Sequence, residues 1–287
     1  MIKYVSLLIL LLSSMLTSTA NAWFDNQTPL SQAHKMLLEN DLQASFSALI
    51  QVWQTNRDDY VDNHLNELLL KSLEPDCGKS LTSEPLASWI SNIVIRRQSL
   101  QSPGRITSKL IIESQASVEI KSIRFSQWSD TDISPETDFE QVSSNGEFIY
   151  HARYALSQRL GPGLYRIEIE NVNGEQWNSW VVMGESKSKE IVRWDTKDSW
   201  AVDKFGLLNP YCALPVLTVA LYDYLDGEYK RVWYQEYETD YPTSLPLGKL
   251  TPDRYVLAVS ITQKRWQGAI VIEDQQVISK TYDISAE

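Results

Sequence analysis

The spacing of apolar residues changes along the chain from a helical period to a strand period. Between residues 28 and 100, apolar side chains recur at intervals of three and four positions, which predicts short amphipathic helices. Thr28 followed by Pro29 is typical of a helix start, and Pro75 ends the third helix. A fourth helix is predicted to begin near Ser83 and to bury Leu86, Trp89, Ile90, Ile93 and Val94. Successive short helices form hairpins that either hold other proteins or pack as a cap on a neighbouring domain.

From residue 104 onward, the pattern has a period of two, which predicts β-strands separated by turns. One set of strands is expected between residues 106 and 182, and a second set between residues 216 and 282. Asp226-Gly227 separates two strands of the second set and is typical of a two-residue hairpin. Residues 186–189 are predicted to form a hinge between the two sets.

The two sets of strands share the motif Leu-x-Pro-x-x-Tyr, at residues 160–165 and again at residues 250–255. A tryptophan follows each tyrosine and leads into an apolar strand. The pattern is similar to the corner of immunoglobulin-like sandwiches, where a tyrosine packs under a turn and its hydroxyl bonds back to the chain. The corner residues are Pro162, Tyr165 and Trp177 in the first set, and Pro252, Tyr255 and Trp266 in the second.

These patterns predict an α+β multidomain protein, with a small N-terminal helical domain followed by two immunoglobulin-like antiparallel β-sandwich domains. We expect the helical domain over residues 23–103, the first sandwich over residues 104–186 and the second over residues 187–287. The repeated corner is a structural motif, so it predicts no particular chemistry.

Residues 1–22 have the features of a secretory signal. One lysine precedes a short apolar run, and the segment ends in Ala20-Asn21-Ala22. The apolar run is shorter than the roughly 20 residues that a membrane-spanning helix needs, which disfavours the alternative of a membrane anchor. Cleavage is predicted between Ala22 and Trp23, and the mature chain, which has no later apolar stretch long enough to span a bilayer, is expected in the bacterial periplasm.

Charge and cysteine content restrict the possible partners and the redox state. The formal net charge is −11, which disfavours binding to nucleic acids and to anionic lipid. The chain has two cysteines, Cys77 and Cys212, and the periplasm is oxidising. We therefore predict a disulfide between them, with buried free thiols or bonds to other chains as alternatives. The bond would tie the N-terminal part of the chain to the C-terminal part.

Motifs of catalysis, cofactor binding and metal binding are missing from the sequence. The histidines His34, His64 and His151 lack metal-ligand spacing, and no Cys-x-x-Cys, P-loop or dinucleotide-binding motif occurs. An acidic stretch at residues 130–140 lacks the glycine and spacing of an EF-hand. We predict a non-catalytic protein without cofactor or metal. The weaker alternative is a hydrolase whose carboxylates converge only in the folded chain.

The most unusual local feature is an aromatic run between residues 222 and 241. Some of these rings must lie near solvent or at a domain boundary, because the aliphatic residues of the same strand occupy the core side. Exposed rings suit a protein interface or stacking on sugars, whereas packing against the helical domain is the structural alternative. The candidate surface comprises Tyr222, Tyr224, Tyr229, Trp233 and Tyr237.

The leader, the Trp23-Phe24-Asp25 start, the helical region with Cys77 and the paired β-motifs together resemble a known family. It is an uncharacterised periplasmic family of vibrios and their relatives that includes VxrC, which is encoded beside the VxrA–VxrB two-component system. The resemblance implies an accessory role in envelope signalling and no catalytic residues. We therefore expect an adaptor that binds a periplasmic or membrane protein, such as a sensor domain. Binding of an envelope glycan such as peptidoglycan is the alternative.

Overall fold

A computed structural model describes residues 28–55, 59–82, 84–129, 131–133, 137–144, 146–185, 189–246 and 251–284. The predicted leader, its cleavage site between Ala22 and Trp23, and most of the predicted hinge at 186–189 lie outside the described residues.

Three helices form the N-terminal region: α1 (Pro29–Leu38), α2 (Leu42–Trp53) and α3 (Asp59–Leu73). Thr28 caps α1, since its hydroxyl accepts from the backbone N–H of Ser31 at 3.2 Å and the Ser31 side chain bonds back to it. Asp41 caps α2 in the same way through Ala44, at 3.0 Å. Asn40, between them, has a φ of 60°, a conformation that asparagine tolerates and that turns the chain back on itself.

The strands follow in chain order. They are β1 (Ile90–Ser102), β2 (Arg105–Ala116), β3 (Ile120–Gln127), β4 (Thr131–Asp132), β5 (Thr137–Ser144), β6 (Glu147–Leu156), β7 (Gly163–Asn171), β8 (Gln176–Met183), β9 (Glu190–Trp194), β10 (Trp200–Lys204), β11 (Val216–Leu225), β12 (Glu228–Tyr237), β13 (Asp253–Gln267) and β14 (Ile270–Ile284). The chain is thus mostly β-sheet with a small helical region at its N-terminus, which confirms the broad fold class.

The predicted fourth helix is wrong, because residues 90–102 form strand β1. Ile93 and Ile95 point into the core, and Val94 between them is only partly buried. β-branched residues favour such a strand, and the apolar spacing in this short stretch fits both periods. β1 also has a partner on each side, since it pairs with β2 antiparallel and with β14 parallel. The helical region therefore ends well before the predicted boundary at residue 103.

Strands from both sets join in one continuous sheet, so the two sets do not form two separate pairs of sheets. Its eight strands have the order β12-β11-β13-β14-β1-β2-β6-β5, and the parallel contact between β1 and β14 joins the two halves. A four-stranded sheet, β4-β3-β7-β8, and the hairpin of β9 and β10 complete the β-structure among the described residues.

Both β-cores lie on the same face of the eight-stranded sheet. Alternate residues of β14 share a face, and on this face Ile272 belongs to the core beneath the four-stranded sheet. Further along the same face, Ile278 belongs to the core beneath β9 and β10. The intervening residues of this face are polar, Asp274 and Gln276, so a polar seam separates the two cores.

The helices form a third layer on the outer side of the four-stranded sheet. The α2 and α3 side chains, among them Phe46, Leu49 and Leu65, pack with Leu164 of β7 and Val182 of β8. No helix among the described residues is long and apolar enough to cross a membrane. The packing leaves a junction between the end of α3 and the segment that precedes β11.

Candidate partner-binding groove

A disulfide between Cys77 and Cys212 ties the end of the helical region to residues 205–215, here called the apolar loop. Asn209 reinforces the link from within this loop. Its side-chain nitrogen donates to the carbonyl of Leu73 at 2.9 Å, which satisfies a backbone acceptor at the end of α3. Its side-chain oxygen accepts from the backbone N–H of Tyr211 at 2.9 Å, so one residue fixes both the loop and the helix end.

The residues that follow α3 are also held against the turn between β13 and β14. The backbone N–H of Trp266 donates to the Cys77 carbonyl at 2.9 Å, and the backbone N–H of Gly268 donates to the Gly78 carbonyl at 3.0 Å. Gly78 has a φ of +88°, and a Cβ there would lie 2.1 Å from the carbonyl oxygen of Trp266. Only glycine fits this position. The backbone next to Cys77 is therefore packed closely against the β13–β14 turn, which holds this end of the disulfide in place.

The apolar loop displays large hydrophobic side chains to solvent. Leu207 is 93% exposed and Phe205 is 63% exposed, with Tyr211 and Leu214 also on the surface. Several exposed hydrophobic residues within one short loop mark an interaction surface. Sequence reasoning missed this loop, although the run Phe205-Gly-Leu-Leu-Asn-Pro-Tyr-Cys-Ala-Leu214 was visible. Apolar runs usually indicate burial, and nothing in the pattern separates this one from a core segment.

A groove of about 760 Å³ runs between α3 and the apolar loop. Apolar surface predominates in its lining, with charged side chains such as Glu67 and Lys71 among the aliphatic ones, and Leu70 at its edge is itself exposed. The aliphatic lining residues are Leu37, Leu68, Leu70, Leu73, Leu207, Leu208 and Pro210. A concave apolar surface of this size lies within the range of ligand and peptide sites.

Two histidines meet at the α1 side of the groove. The Nε2 atoms of His34 on α1 and His64 on α3 are 2.6 Å apart, so one ring donates and the other accepts. Burial lowers the pKa of His34, and the neighbouring His64 lowers it further. The contact is therefore made by a pair that carries at most one extra proton, since two charged rings would repel each other.

A second cavity of about 190 Å³ adjoins the groove. Its floor is an ion pair between Arg97 and Asp274, which belongs to the polar seam. Arg97, only 4% exposed, donates from Nη2 to Asp274 at 2.9 Å and from Nη1 to the Gly184 carbonyl at 2.8 Å. Arg265 donates to the Val182 carbonyl at 2.8 Å. Burial, followed by repulsion from Arg97, lowers the pKa of Arg265 to about 10. The seam thus places two arginines around one carboxylate.

The predicted aromatic surface is divided between different places. Trp233 and Tyr237 pack against the core beneath β9 and β10. Tyr224 and Tyr229 face each other across the β11–β12 hairpin, exposed, with ring centroids 5.0 Å apart. Tyr222 is half-buried and lines a depression on the opposite face of the sheet. The five residues therefore do not form one continuous binding surface.

The two tyrosine corners have the same hydrogen bond. Tyr165 donates from its hydroxyl to the carbonyl of Gly161, and Tyr255 donates to the carbonyl of Thr251, each at 3.0 Å. Pro162 and Pro252 lie in the turns that these bonds close.

The two tryptophans of the motif are not equivalent. Trp177 lies on β8, the strand after its tyrosine, and its indole donates to the Pro85 carbonyl at 2.8 Å. Trp266 is still on β13, the strand of Tyr255, beside the disulfide.

Sites for chemistry are scarce in the described part of the chain. Within it, no group of three or more His, Cys, Asp or Glu side chains could hold a metal ion. A cavity of about 440 Å³ contains Glu190, Glu238 and Asp240, and Lys204 pairs with Glu190 at 3.3 Å. Of the acidic stretch at 130–140, Asp132 pairs with Arg124 at 3.1 Å. Hydrolysis by converging carboxylates stays an untested prediction.

Comparison with known proteins identifies the family. A family model described as a protein of unknown function matches residues 23–283. The chain belongs to this DUF2861 family. No curated protein sequence matches it. Among solved structures, the tandem Ig repeats of Dlar are 8% identical, covering 67% of this chain and 100% of that one, with a TM-score of 0.27. That likeness is too weak to carry a structural or functional argument, and the DUF2861 assignment names no activity.

Proposed function

We propose that this DUF2861 protein is a non-catalytic periplasmic adaptor that holds an apolar segment of a partner protein in the groove. The observation that carries the proposal is the apolar loop, whose leucine and aromatic side chains are exposed on an acidic protein. Exposing them to water is unfavourable by about 25 cal/mol per Å², so a partner that covers them gains that free energy.

The frame around the loop supports recognition of a defined partner. The disulfide and the Asn209 bonds hold the two walls of the groove, α3 and the apolar loop, at a fixed separation. A preorganised site loses less conformational entropy on binding than a flexible one. An apolar segment from a periplasmic or membrane protein, such as a sensor domain, fits this shape, and its binding would suit an accessory role in envelope signalling.

The export part of the proposal has separate support. The family match begins at Trp23, the residue that follows the predicted cleavage site. A disulfide joins the two cysteines, which is typical of oxidising compartments. Mass measurement of the protein recovered from the periplasm tests this part, and a chain beginning at Trp23 is expected. Recovery from the cytoplasm with the leader intact would contradict it.

Photo-crosslinking in cells tests the adaptor proposal. A photoreactive residue at position 207 is expected to give a discrete adduct with one envelope protein, whereas the same residue at Asn173, exposed on the β7–β8 turn, should not. The identified partner is then purified, and the substitution Leu207→Ser should weaken its binding at least about tenfold, the effect of losing one buried leucine. Adducts with lipid or with a second copy of the chain, or none at all, would refute the proposal.

A further inference from the structure

The face of the eight-stranded sheet opposite the cores carries a polar depression, here called the trough. It has a volume of about 370 Å³ and spans strands β1, β14, β13, β11 and β12. It lies on the other side of the sheet from the groove, because neighbouring residues of a strand point to opposite faces. Arg96 and Glu273 line the trough, whereas the next residues, Arg97 and Asp274, form the floor beside the groove.

Small side chains at the centre of the sheet produce the trough. Ser260 of β13 lies opposite Thr218 of β11, and Ala258 lies opposite Ala220 in the same two strands. Exposed sheet faces are normally solvated by longer polar side chains, and alanine is a poor strand former. Ala220 and Ala258 therefore contribute little to the stability of the sheet itself, and they leave room for a ligand.

One wall of the trough is an ordered array of hydrogen-bonding groups. Gln98 donates to Gln275 at 2.6 Å, and Gln275 donates to the hydroxyl of Thr262 at 3.0 Å. Next to them, Glu273 accepts from Arg96 at 2.6 Å and pairs with Lys264 at 3.2 Å. These contacts fix the side chains in one arrangement, which presents donors and acceptors together without a large excess of charge.

The other wall of the trough is formed by aromatic and charged side chains. Tyr222 lines it, Glu236 lies opposite Thr218, and Arg231 lies opposite Tyr222 across the strands. Tyr234 stands next to the trough with the Arg231 guanidinium 4.1 Å from its ring centre. Tyrosine rings offer an apolar face and a hydroxyl at the same place.

We propose that the trough binds a short glycan chain. A sugar ring presents hydroxyl groups at its edge and C–H groups on its face, which match the amide and hydroxyl wall and the tyrosine wall. The volume is enough for a short oligosaccharide and lies at the lower end of the range for ligand pockets. This site is independent of the groove and does not require the partner-binding proposal.

Titration calorimetry with the mature protein tests the trough, using chitotetraose, cellotetraose and soluble peptidoglycan strands as probes. Saturable binding of at least one probe is expected. Ala258→Arg fills the centre of the trough from a partly exposed position, and Gln275→Ala removes the amide from the polar wall. Ala258→Arg should weaken binding at least about tenfold because it blocks the trough, and Gln275→Ala about fivefold, the effect of losing about 1 kcal/mol of hydrogen bonding.

Two control variants separate the trough from the rest of the molecule. Asn173→Ala changes an exposed residue on the β7–β8 turn of the other sheet, and Leu207→Ser changes the groove. Both should leave the affinity for glycan unchanged. The experiments therefore distinguish a failure of the glycan proposal from a failure of the partner-binding proposal. Absence of saturable binding of all three probes to the parent protein would overturn the glycan site. Undiminished binding by Ala258→Arg and Gln275→Ala, with unchanged thermal unfolding, would also overturn it.

Discussion

Removal of the disulfide is expected to destabilise the whole protein and to release the apolar loop. The bond joins residues separated by 135 positions. In the chain-entropy model, a closed loop of that length stabilises the folded state by about 5 kcal/mol, an upper figure because real unfolded chains are compact. Observed losses for native disulfides are about 2–5 kcal/mol, a large part of the roughly 5–15 kcal/mol by which proteins are stable.

The perturbation is the double substitution Cys77→Ala/Cys212→Ala, which leaves no free thiol. Urea unfolding followed by tryptophan fluorescence measures the global effect, and a midpoint shift at constant slope reports stability alone. Limited digestion with chymotrypsin measures the local effect, because Phe205, Leu207 and Tyr211 are exposed side chains whose backbone is held by the disulfide until the loop opens. We expect loop cleavage to accelerate more than global unfolding does, since the Asn209 bonds then hold the loop without covalent help.

Asn209→Ala in the oxidised protein is the matched control, because it removes the hydrogen bonds and keeps the covalent link. This substitution should lower the free energy of unfolding by about 1 kcal/mol, as expected for partly exposed hydrogen bonding. The rate of loop cleavage should change little. If the double cysteine variant unfolds at the same urea concentration as the parent and its loop is cleaved at the same rate, the reasoning about loop closure is refuted.

Further predictions follow from the tyrosine corners, the polar seam and the histidine pair. Tyr165→Phe and Tyr255→Phe should each cost about 1 kcal/mol in urea unfolding, because each loses the hydrogen bond to the carbonyl four residues earlier; the Tyr255 hydroxyl also contacts the Thr251 hydroxyl at 2.8 Å, so a clearly larger cost for Tyr165→Phe would contradict the equivalence of the corners. Asp274→Asn should cost about 3–5 kcal/mol, because two arginines then lack their counter-charge. Glu273→Gln should cost less, since its cationic partners reach solvent, and equal costs would argue against the buried seam. The pKa of His34 is lowered on folding, so the unfolded chain binds the extra proton more readily and stability should fall as the pH drops below 6.5. Urea unfolding at pH 7.5 and 5.5 should show a smaller loss for His34→Gln, and an identical loss would exclude this histidine as a cause.

Local patterns in the sequence predicted local structure well. Alternation located strands β2, β3, β6, β7, β8, β11 and β12, and the proline-tyrosine motif located two turns whose hydroxyl bonds have equal lengths. The even number of cysteines and the expectation of an oxidising compartment predicted the bond between Cys77 and Cys212. These features depend on short-range chemistry or on a residue count, and neither requires knowledge of which strands become neighbours.

The residue pattern did not predict which strands pair with strands far away in the sequence. β1 pairs in parallel with β14, at the far end of the chain, and no residue spacing encodes such a contact. The error at β1 followed from this, since a short run of isoleucine and valine fits a helix face until its sheet partners are known. The groove was missed for the same reason, because its walls come from α3 and from residues 205–215. The trough depends on small residues that become neighbours only when β11 and β13 are paired.

The single sheet explains why the two proposed sites can be tested separately. Arg97 and Asp274 face the groove side, and Arg96 and Glu273, one position earlier on the same strands, face the trough. β1 and β14 have partners along both edges, so their backbone is fixed and a side-chain change on one face does not require repacking on the other. Leu207→Ser should therefore act on the groove alone, and Ala258→Arg on the trough alone. If either variant changed both affinities, the two faces would be coupled through these consecutive ion pairs, and the rigid-sheet argument would fail.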